Sequence, residues 1–309
     1  MYSNFRFLFA IVGTILSAVV HAGIVDPNVP IISYVTYQSL DPVQPLTVAG
    51  QLRVPAAATG KLPAVVIVHG SGGIDSRGGF YAKALNRAGI ATLEIDMWAA
   101  RGWLGGIGGR PSGVPETLPD AYGALKFLSE QPRIDPGRIG IMGFSWGGVV
   151  TMLTATEPYT HLYTGGLLKF AAHAPNYPVC WVYNRIPGYE FSSFTGSPLF
   201  IQAGELDAYD APDTCPNLVH SLPPAAQTFV SVKVYDGATH AWDRLQPAIT
   251  ITDPFSHLGM GGEVQFIPNP RVALKSRRAT VRFFERAFGM PDEGMEAGAE
   301  CAKDPRDCD

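Results

Sequence analysis

Three side chains that stand far apart in the chain have the types needed for nucleophilic catalysis: Ser145, Asp207 and His240. A serine hydroxyl is a weak nucleophile unless a neighbouring base removes its proton, and a carboxylate commonly orients that base. Ser145 stands at the centre of Gly143–Gly147, which has the pattern G-x-S-x-G. We therefore take Ser145 as the candidate nucleophile of an acyl-transfer reaction.

The residues on either side of this pattern predict a strand, a sharp turn and a helix. Residues 138–142 form a short apolar run typical of a buried strand, and residues 148–155 are typical of a mostly apolar helix. A serine on such a turn projects its hydroxyl beyond the sheet, and the N-terminus of the helix points toward it. A glycine-rich loop with an exposed serine remains the alternative, because the chain contains 34 glycines among 309 residues.

His240 is the candidate base, because it closely follows a predicted strand at residues 229–235 and precedes no helical pattern. A histidine in such a loop can reach back across the edge of the sheet toward the serine. His257 is a less direct candidate. His69 follows an apolar run, and we expect it to end a core strand and to shape the next loop rather than to act as the base.

Asp207 is the candidate acid, because it follows a predicted strand at residues 198–203 and a turn at Gly204. The chain order of serine, acid and histidine is the order found in α/β-hydrolases. Asp210 lies farther along the same loop and is the second candidate. Asp243 follows His240 closely, and we expect it to be a surface or loop-capping group.

Acyl transfer also needs hydrogen-bond donors aimed at the oxygen on which negative charge develops. One donor is expected to be the backbone amide of Trp146, the residue after the nucleophile. The other is expected from the glycine-rich loop that follows His69, where Ser71 is the first choice and Gly72 the alternative.

Apolar runs that alternate with helical patterns predict an α/β fold with a mainly parallel central sheet and helices on both faces. The predicted strands cover residues 31–37, 46–54, 63–69, 90–95, 138–142, 169–174, 198–203 and 229–235, and the main helices cover residues 79–88, 118–130, 148–155 and 273–288. Ligands bind beyond the carboxyl ends of the strands in such sheets. The loops that carry Ser71, Ser145, Asp207 and His240 should therefore meet at one edge.

Five sequence blocks together resemble the dienelactone hydrolase family, over about residues 46–290. The blocks, which occur in the family's order, are His69–Gly73, Gly143–Gly148, Tyr177–Cys180, Gly204–Asp207 and Gly237–Asp243. The resemblance implies an α/β-hydrolase fold, a nucleophile–aspartate–histidine triad and hydrolysis of small esters or lactones without a metal or other cofactor. Founding members carry cysteine at the position of Ser145, so we expect a general carboxylesterase rather than activity on the lactone that names the family.

Three further residues are candidates for contact with the substrate. Trp98 and Arg101 follow the predicted strand at residues 90–95, and Trp181 follows one of the family blocks. The tryptophans could line an apolar pocket, whereas Arg101 could pair with Asp96 or receive a substrate carboxylate. Residues 247–270 form a long insertion that could cover part of the site.

The first 22 residues have the pattern of a secretory signal peptide. Arg6 precedes an apolar run at residues 7–20, and small residues stand before a cut after Ala22. A membrane anchor is the alternative, but the run is shorter than the roughly 20 residues that span a bilayer. We expect export to the periplasm or the medium, with residues 23–290 as one domain and residues 291–309 as a polar tail.

The four cysteines are even in number, which in an exported chain favours disulfides. The favoured pairs are Cys180 with Cys215 and Cys301 with Cys308, and a buried free thiol at Cys180 is the alternative. The formal net charge of −4 disfavours nucleic acid as a partner. After signal removal we expect no membrane association, and the sequence does not indicate the oligomeric state.

Several other functions use the same fold. A non-catalytic binding protein, a peptidase, an acyltransferase and a polyester hydrolase all remain open at the level of sequence. The leading expectation is an exported serine hydrolase for small carboxylic esters or lactones.

Overall fold

The structure, a computed structural model, describes residues 29–56, 60–103 and 110–291. In these residues eight strands form one sheet in the spatial order β1-β2-β4-β3-β5-β6-β7-β8. The strands are β1 (Ile31–Gln38), β2 (Thr47–Val54), β3 (Leu62–Val68), β4 (Ala91–Asp96), β5 (Ile134–Phe144), β6 (His173–Asn176), β7 (Leu199–Leu206) and β8 (Val230–Thr239). Strand β2 is antiparallel to both of its neighbours, and β3 to β8 run parallel to one another.

Strand β3 lies at the centre of the sheet, and all seven of its residues are buried. It pairs with β4 on one side and β5 on the other, with Val68 opposite both Ile95 and Gly143. An unbroken apolar run suits this position because both faces of a central parallel strand are covered. The carboxyl ends of β3 and β5 consequently lie side by side.

Helices cover both faces of the sheet, as the sequence predicts. On one face, Tyr81 of α1 and Phe284 of α8 pack with Ile67 of β3. On the other face, Leu125 of α2 and Val149 of α3 belong to a separate apolar cluster. The helices are α1 (Ser76–Arg87), α2 (Leu118–Ser129), α3 (Trp146–Leu153), α4 (Glu157–Thr164), α5 (Thr214–His220), α6 (Pro224–Gln227), α7 (Ser256–Gly259) and α8 (Pro270–Ala287).

Strand β6 differs from the prediction of a strand at residues 169–174. Pairing with β5 begins early, since the amide of Ala171 donates to the carbonyl of Ile139 at 2.7 Å. Pairing with β7 on the other side begins only at His173. The regular strand is therefore His173–Asn176, whose four residues pair with β5 and whose first and last residues also pair with β7.

The insertion at residues 247–270 contains regular structure that the sequence analysis missed. Strands β9 (Ile249–Asp253) and β10 (Gly262–Phe266) form an antiparallel hairpin, with the short α7 between them. The alternation of β-branched and polar residues from Ile249 to Asp253 is the signal that could have identified β9.

Two predictions concern residues outside the described part of the chain. The signal peptide at residues 1–22 and the pair Cys301 and Cys308 both lie there. Within residues 29–56, 60–103 and 110–291, no helix combines the length and the apolar character that a membrane span requires.

Candidate active site

Ser145 occupies a strained turn between β5 and α3. Strand β5 ends at Phe144, α3 begins at Trp146, and the serine between them has φ 53° and ψ −110°. Positive φ is costly for a residue other than glycine and is typical of functional positions. The G-x-S-x-G pattern is therefore a strand–turn–helix junction, and the alternative of an irregular glycine-rich loop is wrong.

The two glycines of the pattern allow the backbones at this junction to touch. A Cβ on Gly143 would lie 2.1 Å from the carbonyl oxygen of Gly147, and a Cβ on Gly147 would lie 2.2 Å from that of Val68. Real Cβ atoms essentially never lie within 3.0 Å of such atoms, so the backbone would have to shift. Glycine at these positions is thus required for α3 to begin against the ends of β3 and β5.

The side chains of Ser145, His240 and Asp207 form a continuous chain of hydrogen bonds. Oγ of Ser145 lies 2.8 Å from Nε2 of His240, and Nδ1 of His240 lies 2.8 Å from Oδ2 of Asp207. An ionised carboxylate only accepts hydrogen bonds, so Nδ1 carries the proton and Nε2 is free to accept the serine proton. The relative exposure of His240 is 1% and that of Asp207 is 5%, so bulk water does not compete for these bonds.

The sheet topology explains why residues so distant in sequence meet. Asp207 directly follows β7, His240 directly follows β8, and these strands are parallel neighbours. The amide of Tyr209 donates to Oδ1 of Asp207 at 2.9 Å, which fixes the carboxylate.

Aromatic rings hold the imidazole of His240 from several sides. Its ring centroid lies 4.4 Å from that of Tyr209, 4.7 Å from that of Tyr177 and 5.3 Å from that of Phe266. The sequence analysis missed these contacts because the three rings come from separate segments that only the fold brings together.

The two predicted oxyanion donors border the same space as Ser145. Trp146 is the first residue of α3, and the first amides of a helix have no acceptor within the helix. Ser71 lies in a tight turn in which the amide of Gly73 donates to the carbonyl of Gly70 at 3.0 Å. Ser71 and Trp146 both line a cavity that contains Ser145.

His69 fixes the loop that carries Ser71. Its Nε2 accepts a hydrogen bond from the amide of Met97 at 3.1 Å, so its Nδ1 carries a proton and donates to the carbonyl of Gly70 at 2.8 Å. Burial lowers the pKa of His69 to about 4, although the hydrogen bond to Gly70 and the nearby Asp96 oppose this shift. His69 therefore stays neutral near pH 7 and stabilises the loop through these two hydrogen bonds, as predicted.

Asp210, the second candidate acid, does not bond to His240 but accepts hydrogen bonds from a neighbouring loop. Its two carboxylate oxygens accept hydrogen bonds from the amides of Cys180 at 2.7 Å and Trp181 at 2.9 Å. Burial and the charge of Asp207 raise the pKa of Asp210 to about 7.

A disulfide joins Cys180 to Cys215, so the alternative of a free thiol at Cys180 is wrong. Cys180, Cys215 and Asp210 lie close enough together to resemble a metal site. Disulfide-bonded sulfurs cannot act as thiolate ligands, so this group does not fit a metal.

The expectation that Asp243 lies at the surface is wrong. Asp243 is fully buried and accepts hydrogen bonds from Tyr81 Oη at 2.8 Å, Asn176 Nδ2 at 3.1 Å and Tyr177 Oη. Burial raises its pKa, while Arg77 and the hydrogen bonds oppose this shift. Its partners come from segments 66 to 162 residues away, which a local reading of the sequence cannot detect.

The prediction that Arg101 pairs with Asp96 is also wrong. Nη1 of Arg101 bonds to Oδ2 of Asp120 at 2.6 Å and to the carbonyl of Met97 at 2.7 Å. Asp96 instead accepts hydrogen bonds from the backbone amides of Trp98 and Ala99. The guanidinium of Arg101 is thus occupied by a buried carboxylate, and Arg101 does not line the cavities at Ser145.

The two predicted pocket tryptophans lie behind the site. Trp98 is 2% exposed and packs edge-on against Trp146, with ring centroids 5.5 Å apart. The indole of Trp181 donates to the carbonyl of Phe255 at 3.2 Å and borders a different cavity. Neither residue lines the cavities at Ser145, so both are placed to support their walls.

Two cavities meet at Ser145. The first, which we name the valine lobe, measures about 570 Å³ including its opening to solvent, and its apolar lining includes Val114, Val149, Val179, Val182, Ile186 and Phe255. The second, which we name the histidine lobe, measures about 810 Å³ on the same basis, and its lining includes Asp75, Arg77, His240, Arg244, Gln246 and Ile251. The insertion at residues 247–270 contributes to both lobes and so covers part of the site.

Comparison with solved structures shows the fold. Esterase 2 of Thermogutta terrifontis superposes with a TM-score of 0.58 at 15% identity, covering 84% of this chain and 94% of the esterase. The same esterase has been solved phosphorylated by paraoxon, with a TM-score of 0.55. A dienelactone hydrolase-like promiscuous phosphotriesterase from metagenomic libraries gives a TM-score of 0.57 at 16% identity, covering 83% of this chain and 98% of that one. The chain has the α/β-hydrolase fold.

Sequence comparison is more specific than the fold. The model of the dienelactone hydrolase family matches residues 106–286, more than half of the chain, and the protein belongs to that family. A Bradyrhizobium protein named "probable 2-oxo-3-(5-oxofuran-2-ylidene)propanoate lactonase" is 25% identical over 193 residues, which cover 60% of this chain and 75% of the relative. The family makes this protein a carboxylester hydrolase.

Proposed function

We propose that this hydrolase cleaves its esters through an acyl-enzyme on Ser145, with His240 as the base and Asp207 as the residue that orients it. The observation that carries the proposal is the pair of 2.8 Å contacts that link Ser145, His240 and Asp207. This geometry is the one that activates a serine hydroxyl.

In the proposed acylation step, Oγ of Ser145 bonds to the ester carbonyl carbon while its proton passes to Nε2 of His240. The carbonyl oxygen becomes an oxyanion, and the amides of Trp146 and Ser71 donate hydrogen bonds to it. The carbon–oxygen bond to the alcohol then breaks, and His240 returns its proton to the departing alkoxide. Asp207 keeps Nδ1 protonated throughout and stabilises the transient imidazolium.

Deacylation repeats these events with water in place of the alcohol. His240 takes a proton from a water molecule, whose oxygen bonds to the acyl carbon, and the second tetrahedral intermediate collapses. The bond to Oγ breaks, Ser145 regains its proton from His240, and a carboxylic acid leaves. A lactone would follow the same course, and its ring-opened hydroxy acid would be the product.

We further propose that the substrates are small esters or lactones and that the enzyme works outside the cytoplasm. The narrow interior of the valine lobe supports the first point, since its cavity volume without the opening to solvent is about 70 Å³. The Cys180–Cys215 disulfide supports the second, because disulfides persist in oxidising compartments.

A hydrolysis assay tests the acyl-enzyme proposal. Wild type should release p-nitrophenol from p-nitrophenyl acetate and butyrate, while Ser145→Ala and His240→Ala should lower kcat by roughly 10⁴-fold or more. Ser129→Ala, which removes a partly exposed hydroxyl from the last residue of α2, is the matched control and should keep wild-type activity.

The alternatives give different results in the same assay. A non-catalytic binding protein would leave every ester intact. A peptidase would favour p-nitroanilides over p-nitrophenyl esters, an acyltransferase would need an added alcohol acceptor, and a polyester hydrolase would release soluble acids from a polymer film.

A further inference from the structure

The two lobes that meet at Ser145 are lined by different members of the proposed catalytic group. Both lobes contain Ser71 and Ser145. Only the histidine lobe contains His240, and only the valine lobe contains Trp146, whose amide is a proposed oxyanion donor. The histidine lobe therefore holds the proposed catalytic base, and the valine lobe does not.

This division assigns the two halves of an ester. The departing alkoxide must receive its proton from Nε2 of His240, and such a transfer needs contact within about 3 Å. The alcohol must therefore leave through the histidine lobe, and the acyl chain on the other side of the carbonyl carbon must extend into the valine lobe.

The charged groups in the valine lobe neutralise each other. Arg110 pairs with Asp253 at 3.5 Å, and both side chains are largely buried. The guanidinium of Arg110 also lies over the rings of Trp146 and Phe255, at 5.5 and 5.6 Å from their centroids. The rest of the lining is mainly aliphatic and aromatic, so a charged acyl group would be desolvated there without an unpaired counter-charge.

The histidine lobe is more polar than the valine lobe, although its lining also includes Ile249, Ile251 and Phe266. Asp75 and Arg77 form an ion pair at 2.7 Å, and Gln246 adds an amide that accepts a hydrogen bond from Ser76. Arg244 bonds to the carbonyl of Pro247 at 2.8 Å, and no carboxylate pairs with it among the described residues. The lobe thus presents one unneutralised positive charge and several polar groups to its occupant.

We propose that the valine lobe selects an uncharged apolar acyl group and that the histidine lobe receives a polar leaving alcohol. This inference rests on the proposed function and names the substrate class for it. The inference disfavours substrates whose acyl group bears a carboxylate, because Arg110, the cation of the valine lobe, is already paired with Asp253.

Two matched substitutions test the assignment, one in each lobe. Ile186 and Ile251 are both half-buried lining residues, so Ile186→Trp narrows the valine lobe and Ile251→Trp narrows the histidine lobe. The acyl series is p-nitrophenyl acetate, butyrate and octanoate, and the alcohol series is methyl, butyl and octyl butyrate followed by acid release. Labelling of Ser145 with a fluorophosphonate confirms that each variant is folded.

The expected result is a separation of effects. Ile186→Trp should lower the octanoate-to-acetate ratio of kcat/KM by about tenfold or more, while its octyl-to-methyl ratio stays within about twofold of wild type. Ile251→Trp should lower the octyl-to-methyl ratio of kcat/KM by about tenfold or more, while its octanoate-to-acetate ratio stays within about twofold of wild type. If Ile186→Trp does not fold, Ile186→Ala should instead raise the octanoate-to-acetate ratio.

Two outcomes would overturn the assignment in distinguishable ways. If Ile186→Trp changes the alcohol series and Ile251→Trp changes the acyl series, the lobes are reversed while the proposed function stands. If wild type hydrolyses no ester in either series and is not labelled, the proposed function fails and the assignment fails with it.

Discussion

At the scale of single residues, the two nitrogens of His240 have different partners, and this difference determines which proton can move. Nδ1 donates to Asp207, so Nε2 is left as the acceptor that faces Ser145. Asp210 lies three residues from Asp207 yet contacts two backbone amides instead. These neighbouring carboxylates therefore have separate tasks.

Paired substitutions of the two aspartates should separate those tasks. Asp207→Asn should lower kcat/KM for p-nitrophenyl butyrate by roughly 10³- to 10⁴-fold, because the amide no longer holds His240 in the required tautomer. Asp210→Asn should retain activity within about fivefold. A larger loss in Asp210→Asn than in Asp207→Asn would show that the acid has been assigned wrongly.

Asp210 should also make stability depend on pH. Its pKa is about 7 in the folded protein against an ordinary value of 3.8. A raised pKa means that the folded state binds the proton more tightly than the unfolded state does. The resulting stabilisation is complete below about pH 4 and is lost as the pH rises through 7.

Urea unfolding at pH 5 and pH 8 measures this effect. The free energy of unfolding of wild type should fall relative to that of Asp210→Asn by about 1 to 3 kcal/mol over this interval. The quantity to compare is the change in the free energy of unfolding between pH 5 and pH 8. The absolute values also differ, because the asparagine side chain alters the hydrogen bonds of residue 210 at every pH. Parallel pH profiles for the two proteins would contradict the raised pKa.

Residue types and chain order predicted Ser145, Asp207 and His240, because each follows a recognisable apolar strand. The sequence could not predict the burial of Asp243, which depends on Tyr81 and on other residues far along the chain. It also could not predict the pairing of Arg101, because several carboxylates lie within reach in sequence and only the fold selects Asp120.

At the scale of elements, the junction of β5 and α3 is built around close backbone contacts. The helix begins immediately after the strand, and Gly147 lies against the carbonyl of Val68 at the end of β3. The strained φ of Ser145 persists because the surrounding strands and helix hold it.

Alanine at Gly147 should damage this junction severely. The added Cβ would meet the backbone oxygen of Val68 at 2.2 Å, and a buried backbone cannot easily move away. We expect Gly147→Ala to lower the free energy of unfolding by about 2 kcal/mol or more. Gly79→Ala is the control, because Gly79 lies within α1 with open space around its Cβ position.

The control should be neutral or stabilise the protein by up to about 1 kcal/mol, since alanine is the better helix former. Urea midpoints for both variants provide the comparison. Equal stability of Gly147→Ala and wild type would refute the close-packed junction.

The elements of the sheet were largely predictable, because the central strands are unbroken apolar runs. Strand β3 matched its prediction closely, since both of its faces are covered. The β9–β10 hairpin was missed because it lies outside the main sheet, and weak alternation in a polar insertion is a poor signal.

At the scale of the whole molecule, the parallel sheet brings the loops after β3, β5, β7 and β8 to one edge. The Cys180–Cys215 disulfide links two segments beside this edge. Val179 and Val182, which line the valine lobe, stand on either side of Cys180 in the sequence, and Cys215 lies in α5, after the loop that carries Asp207. The disulfide closes a loop with a sequence separation of 35 residues.

Removing this disulfide should destabilise the protein. A loop of this length predicts a loss of about 3 to 4 kcal/mol in the free energy of unfolding for the double variant C180S/C215S. Wild type treated with dithiothreitol should shift toward the double variant, whereas the double variant itself should not respond. A change below about 1 kcal/mol would contradict a structural role for the disulfide.

The proposal that Ser145 is the nucleophile has one direct measurement. A fluorophosphonate should form a covalent bond from its phosphorus to Oγ of Ser145 and release fluoride, and the proton should pass through His240. Intact-mass spectrometry should show one adduct per wild-type chain, peptide mapping should place it on Ser145, and Ser145→Ala should remain unlabelled. An adduct on any other residue, or a folded wild type that gains no mass, would contradict the mechanism.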